Sequence, residues 1–89
     1  MKTFKDLVFY EHPGSSNMIQ ARLNFDNGYG ISVIKGEFAY GDENCPYEIA
    51  VLHNGHLCYD TPITDDVVGY LTEDDVTEYM KKIQNLSEK

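Results

Sequence analysis

The chain has 89 residues, 42% hydrophobic and 12% aromatic, with fifteen acidic side chains against seven basic ones and a net charge of −8. That is one domain with material for a single modest core, too short for a cofactor domain joined to a substrate domain. The negative balance argues against direct binding to nucleic acid or to an anionic membrane, since both demand a cationic surface.

Residues 4–10 (FKDLVFY) read as a first strand, stopped by the turn chemistry of His12, Pro13, Gly14, Ser15, Ser16 and Asn17. The lysines and acids around that apolar run leave neither a signal peptide nor a membrane span to be expected. Residues 18–25 (MIQARLNF) alternate. Ile19, Ala21, Leu23 and Phe25 point one way and Gln20, Arg22 and Asn24 the other, as in a half-buried strand. The turn at Asp26, Asn27 and Gly28 leads into residues 29–34 (YGISVI). A three-residue loop with Gly28 in the left-handed region pairs Leu23 with Ile31 and Ala21 with Val33, which keeps the apolar side chains on one face.

Residues 35–46 (KGEFAYGDENCP) are the least regular stretch, with residues 37–40 a candidate strand extension and residues 41–44 an exposed tip. Residues 47–52 (YEIAVL) and 57–59 (LCY) flank an Asn54-Gly55 turn that pairs Leu52 with Leu57 and Val51 with Cys58. Apolar side chains on both faces of this hairpin suggest a central place in the sheet. Tyr29, Tyr47 and Tyr59 are expected mostly in the core; Tyr40 and Tyr70 are the better surface candidates.

The acidic segment 60–78 holds seven carboxylates and no lysine or arginine. Its phrase TEDDV is helix-start grammar. Thr72 is the N-cap, Asp75 completes a capping box, and Leu71 and Val76 form a hydrophobic staple. Val76, Met80, Ile83 and Leu86 then recur at helical spacing, with Lys81 and Lys82 toward the negative C-terminal end, so a helix is expected over residues 72–86. The earlier phrase TDDV predicts a capped turn over residues 64–69, with Thr64 as cap and Gly69 as terminator. The expected fold is therefore α+β. An antiparallel meander of about five strands within residues 4–60 carries one C-terminal amphipathic helix on one face.

The chemistry-bearing candidates are few. His53 and His56 oppose each other across the Asn54-Gly55 turn and share a face with Cys58, but a zinc site asks for a fourth ligand and a recurring spacing. With two cysteines, Cys45 and Cys58, a disulfide framework is not expected, and the thiols read as reduced and cytosolic. No pair of groups is set for acid–base work and no phosphate-binding loop is present, so a non-enzymatic protein without cofactor or metal is expected. The candidate partner-binding face is Asp60, Asp65, Asp66, Tyr70, Glu73, Asp74, Asp75 and Glu78, suited to a basic protein. The competing reading is plain helix-start stabilisation. Sheet-edge self-association, including a homodimer, is the alternative of a different class.

The runs FDNGYGISVIKG, YEIAVL, LCYDTPITDDVVGYLTEDDV and MKKIQNL resemble a set of small phage- and prophage-encoded proteins of unknown function. The resemblance implies a bacterial-virus setting in the host cytoplasm. By size and charge it extends to inhibitors of host nucleic-acid-binding or defence machinery, an analogy that carries no residue-by-residue roles.

Overall fold

The computed structural model describes residues 1–64 and 66–87. It shows the expected α+β architecture, a six-stranded antiparallel sheet with one C-terminal helix packed across one face. The strands are β1 (Tyr10–Glu11), β2 (Met18–Asn24), β3 (Tyr29–Gly36), β4 (Tyr47–His53), β5 (His56–Leu57) and β6 (Val68–Leu71), and the helix is α1 (Glu73–Gln84). The sheet order is β1-β2-β3-β4-β5, and β6 pairs with β4 on the edge that β5 also uses.

The two hairpins form as their turns dictate. Leu23 lies opposite Ile31 and Ala21 opposite Val33, with Gly28 at a φ of 85°. Asn54 and Gly55 take φ of 53° and 83°, which sets Leu52 against Leu57 and His53 against His56. The two turns touch through the Asn54 N–H, which donates to the Gly28 carbonyl at 2.9 Å.

Alternation sorts the side chains of β2, β3 and β4 onto two faces. One face carries Ala21, Ile31, Val33, Tyr47, Ile49 and Val51, against which α1 lays Val76, Met80 and Ile83, all three fully buried. Burial of each such side chain contributes about 1.5–3 kcal/mol, so this seam fixes the helix to the sheet. The helix starts as its sequence predicts. Asp75 N–H donates to Thr72 Oγ1 at 3.1 Å, and Thr72 N–H donates to Asp75 Oδ2 at 3.0 Å. Asn27, in the β2–β3 turn, secures the other end. Its Nδ2 donates to the carbonyls of Ile83 (2.8 Å) and Leu86 (3.0 Å).

Four expectations are corrected. Residues 4–10 are not a strand. Phe4–Asp6 forms a short 3-10 turn, held by the Thr3 N–H donating to Asp6 Oδ2 at 2.8 Å, and only Tyr10–Glu11 pairs with β2. The segment instead tucks Phe4, Leu7 and Phe9 against the core, with Phe4 edge-on to Tyr47 at 5.1 Å between ring centroids. Residues 37–40 do not extend β3, which ends at Gly36 with a φ of 136°. The capped turn over residues 64–69 also takes another form. The Thr64 hydroxyl accepts from the Asp66 N–H at 3.1 Å, but the chain is extended by Val68, so Gly69 sits in β6 rather than at the end of a helical turn. Asp65 lies outside the described residues. Finally, Tyr59 is exposed, because β5 ends at Leu57 and the chain leaves the sheet there.

Strand β6 contains an irregularity that matters below. Val68 faces Ile49 and Leu71 faces Tyr47, so three steps along β6 match two along β4. The extra residue lets both Val68 and Leu71 contribute to the core, and within it Tyr70 takes a φ of 59°.

Candidate functional site

The acidic residues singled out in the sequence come from three stretches of chain, after β5, before β6 and in the first turns of α1. Asp60 follows Cys58, whose N–H donates to the Val51 carbonyl, whereas Leu71 sits opposite Tyr47 at the far end of β4. Four residues of strand separate those levels, about 13 Å. Glu73, Asp74 and Asp75 follow Leu71 in the first turn of α1, Asp66 precedes β6, and Asp60 lies two residues beyond Cys58.

Several of these carboxylates already serve the local fold. Asp75 closes the capping box. The backbone N–H of Thr72, then its hydroxyl contact, holds the Asp75 carboxyl below the ordinary aspartate range. Asp66 Oδ1 accepts from the Val67 N–H at 2.8 Å, and Asp60 Oδ1 accepts from the Cys58 thiol at 2.9 Å. Glu78 pairs with Lys81 at 3.4 Å on the exposed side of the helix. Exposed pairs of that kind contribute only a few tenths of a kcal/mol. Glu73 and Asp74 are left as exposed acids of the first turn, and Glu73 stands near enough to Tyr47 to add to the burial that raises the Tyr47 hydroxyl's pKa.

Folding brings a different group together at the Tyr47 end of the sheet. The β3–β4 connection, residues 37–46, meets the β6–α1 junction there. Tyr70 N–H donates to the Tyr40 carbonyl at 2.8 Å. Gly69 allows the contact, since a Cβ on it would lie 2.5 Å from both Tyr40 Cβ and Tyr40 O. Phe38, Tyr40 and Tyr70 stand 70%, 61% and 58% exposed in these two segments. Asp42 and Glu43 belong to the same connection, which also folds on itself. Asp42 Oδ1 accepts from the N–H groups of Asn44 (3.0 Å) and Cys45 (2.7 Å). This end of the molecule therefore combines three exposed aromatic rings with carboxylates at positions 42, 43, 73 and 74.

Tyr70 is held there against its own backbone preference. A left-handed conformation costs an L-residue with a bulky side chain roughly 1–2 kcal/mol relative to its usual regions. The irregularity in β6 imposes it, and the side chain is left outside the core.

The remaining candidates are structurally occupied or dispersed. His53 lies against the Tyr29 ring at 4.5 Å. Cys45 and Cys58 are both partly buried. Among the described residues no three His, Cys, Asp or Glu side chains are grouped to hold a metal ion, and no helix is long and apolar enough to cross a membrane.

Sequence reasoning passed over the sheet face opposite the helix. There Gln20, Ser32 and Glu48 are buried at 6%, 7% and 8% exposure, and Arg22 borders the same cleft of about 180 Å³. One signal pointed to it. Glu48 is a charged residue inside the otherwise apolar run YEIAVL, and a lone charge in a buried strand asks for a reason. No family model, curated protein or solved structure matches the chain.

Proposed function

We propose that the chain is a non-enzymatic binding protein that docks on a basic protein through its acidic, aromatic end. The observation that supports this reading is the exposure of Phe38, Tyr40 and Tyr70 on the β3–β4 connection and the β6–α1 junction, segments that meet through the Tyr70–Tyr40 hydrogen bond and also carry Asp42, Glu43, Glu73 and Asp74, with Tyr70 at a strained φ of 59°. Backbone strain of this kind clusters at functional sites, which makes Tyr70 a candidate contact residue beside its packing role in β6. Rigid aromatic side chains ringed by charge are the usual anchors of protein interfaces, and a net charge of −8 steers a cationic partner toward them. In the bacterial-virus setting that the resemblance implies, a partner of matching charge is a host or phage nucleic-acid-binding protein, which the bound chain would inhibit. The acidic residues near Asp60 and Asp66 add long-range attraction rather than contact.

The test is retention of proteins from nuclease-treated bacterial lysate on the immobilised chain, eluted with rising salt. A specific basic protein should elute between about 0.1 and 0.5 M salt, as screening over a few ångströms requires. Retention should be lost with Tyr40→Ser/Tyr70→Ser and, separately, with Glu73→Gln/Asp74→Asn. Asp75 is left intact because it caps the helix. Unchanged retention by both variants would remove the basis of this reading.

A second reading, self-assembly through a sheet edge, keeps one supporting observation. β1 pairs with β2 only at Ile19 and Gln20, so among the described residues no strand covers the outer edge of β2 from Arg22 to Asn24. The extra edge strand that residues 37–40 would have added does not form, since β3 ends at Gly36. Sedimentation at micromolar concentration separates the readings: a monomer ends the second.

A further inference from the structure

We infer that the cleft on the helix-free face of the sheet is a binding site for a small zwitterion, of the size and charge separation of a free amino acid. The cleft is about 180 Å³, below the roughly 300–1,000 Å³ of sites for larger ligands, so its occupant is a small molecule.

The floor follows from strand register. Arg22, Ser32 and Ala50 form one cross-strand row, and Gln20, Ile34 and Glu48 form the next. Ala50, small and buried, makes the depression, while Leu57 and Tyr59 rise beside it from the segment after β4. Arg22 and Glu48 lie two strands and two residues apart, about 12 Å between Cα positions by sheet geometry.

The polar groups divide by role. Gln20 Nε2 donates to Ser32 Oγ at 3.4 Å, which leaves the Ser32 hydroxyl hydrogen and the Gln20 carbonyl for another partner. Glu48 Oε1 accepts from the Tyr40 N–H at 2.8 Å. Among the described residues no fully buried side-chain oxygen lacks a hydrogen bond, so the second oxygen of Glu48, a residue that lines the cleft, keeps some exposure. The one ion pair of the described residues is Glu78 with Lys81, so Arg22 and Glu48 do not neutralise each other although both line the same cleft. His12 Nδ1 accepts from the Gly14 N–H at 2.9 Å, which leaves Nε2–H as a further donor at the rim.

An arginine, a hydroxyl hydrogen and an imidazole N–H form a donor set for a carboxylate. The Glu48 carboxylate, on a residue 8% exposed, is the acceptor for an ammonium, with the Gln20 carbonyl a further acceptor two strands away. A carboxylate with a single protein hydrogen bond has acceptor capacity left, which an ammonium would fill. One molecule carrying both charges a few bonds apart satisfies both ends. A molecule with either charge alone leaves the other end unmatched. The site shares only the Tyr40–Glu48 hydrogen bond with the docking end and does not rest on it.

The experiment is amide NMR of the ¹⁵N-labelled full chain, titrated with each L-amino acid in turn to about 10 mM, a range suited to ligands of so few atoms. At least one should shift the amides of Arg22, Ser32, Glu48 and Ala50 in a saturable way. Its N-acetyl and carboxamide derivatives should each bind at least tenfold more weakly. Arg22→Gln and Glu48→Gln should each weaken the parent ligand by a similar factor; the second keeps an oxygen for the Tyr40 N–H, and the spectrum itself reports whether the fold persists. The inference is overturned if no amino acid shifts these amides. It is equally overturned if either blocked derivative binds as well as its parent, or if the variants, folded, bind unchanged.

Discussion

Asn27 offers the sharpest test of how this fold is tied together. A turn role alone predicts that Asn27→Asp is harmless, because Asp-Gly and Asn-Gly are both favoured turn pairs. The structure predicts otherwise. Asn27 Nδ2 donates to two carbonyls at the helix end, Ile83 at 2.8 Å, which also accepts from the Leu86 N–H, and Leu86 at 3.0 Å just beyond the last turn, and Asn27 Oδ1 accepts from the Tyr29 N–H at 3.1 Å. Asn27→Ala removes all three bonds. At about 0.5–1.5 kcal/mol each, with water replacing part of the loss at this half-buried site, the cost is about 2 kcal/mol. Asn27→Asp keeps the Tyr29 bond but exchanges two donors for a carboxylate facing two carbonyls. It also places negative charge at the negative end of the helix, adding about 0.3–1 kcal/mol. The aspartate variant should therefore be at least as destabilised as the alanine variant, with its melting temperature down by about 10 °C. Urea denaturation with a common m-value decides the matter. The introduced carboxyl would have its pKa raised in the fold, so its penalty should shrink as pH falls. An aspartate variant within about 0.5 kcal/mol of the parent would refute the helix-end role, since that is the scatter of ordinary surface substitutions.

Two further outcomes follow from the same packing. Gly69→Ala would set a Cβ 2.5 Å from Tyr40 Cβ and O; overpacking of this kind costs about 1–3 kcal/mol, and hydrogen exchange at the Tyr70 amide should quicken more than at Val76. Asp75 has its pKa lowered by the Thr72 hydrogen bonds, so its contribution is present above the unfolded-state pKa and lost as pH falls through the lower folded value. Asp75→Asn should accordingly flatten the acid limb of the stability curve, read as melting temperature between about pH 2 and pH 5. An unchanged limb would mean that the capping box does not hold in solution.

Much of this molecule was legible from local chemistry. The Asp26-Asn27-Gly28 and Asn54-Gly55 turns set two hairpin registers because positive φ and side-chain alternation leave few alternatives. Thr72, Asp75, Leu71 and Val76 announced the helix start because caps and staples act within one turn of chain. The misreadings fall where distant contacts prevail. Phe4, Leu7 and Phe9 face the core from a 3-10 turn and an extended tail because Tyr47 and the helix supply a surface for them. Gly69 is a glycine because Tyr40, twenty-nine positions earlier, occupies the space a Cβ would need. The acidic run looked like one feature in sequence, yet its members serve separate local roles: Asp75 caps the helix, Asp66 bonds the Val67 N–H and Glu78 pairs with Lys81. Turns, caps and periodicity are short-range and were determined by the sequence alone. Which aromatic rings share a surface, and which polar side chains share a cleft, depends on strands far apart in the chain coming into register, and only the tertiary structure decided that.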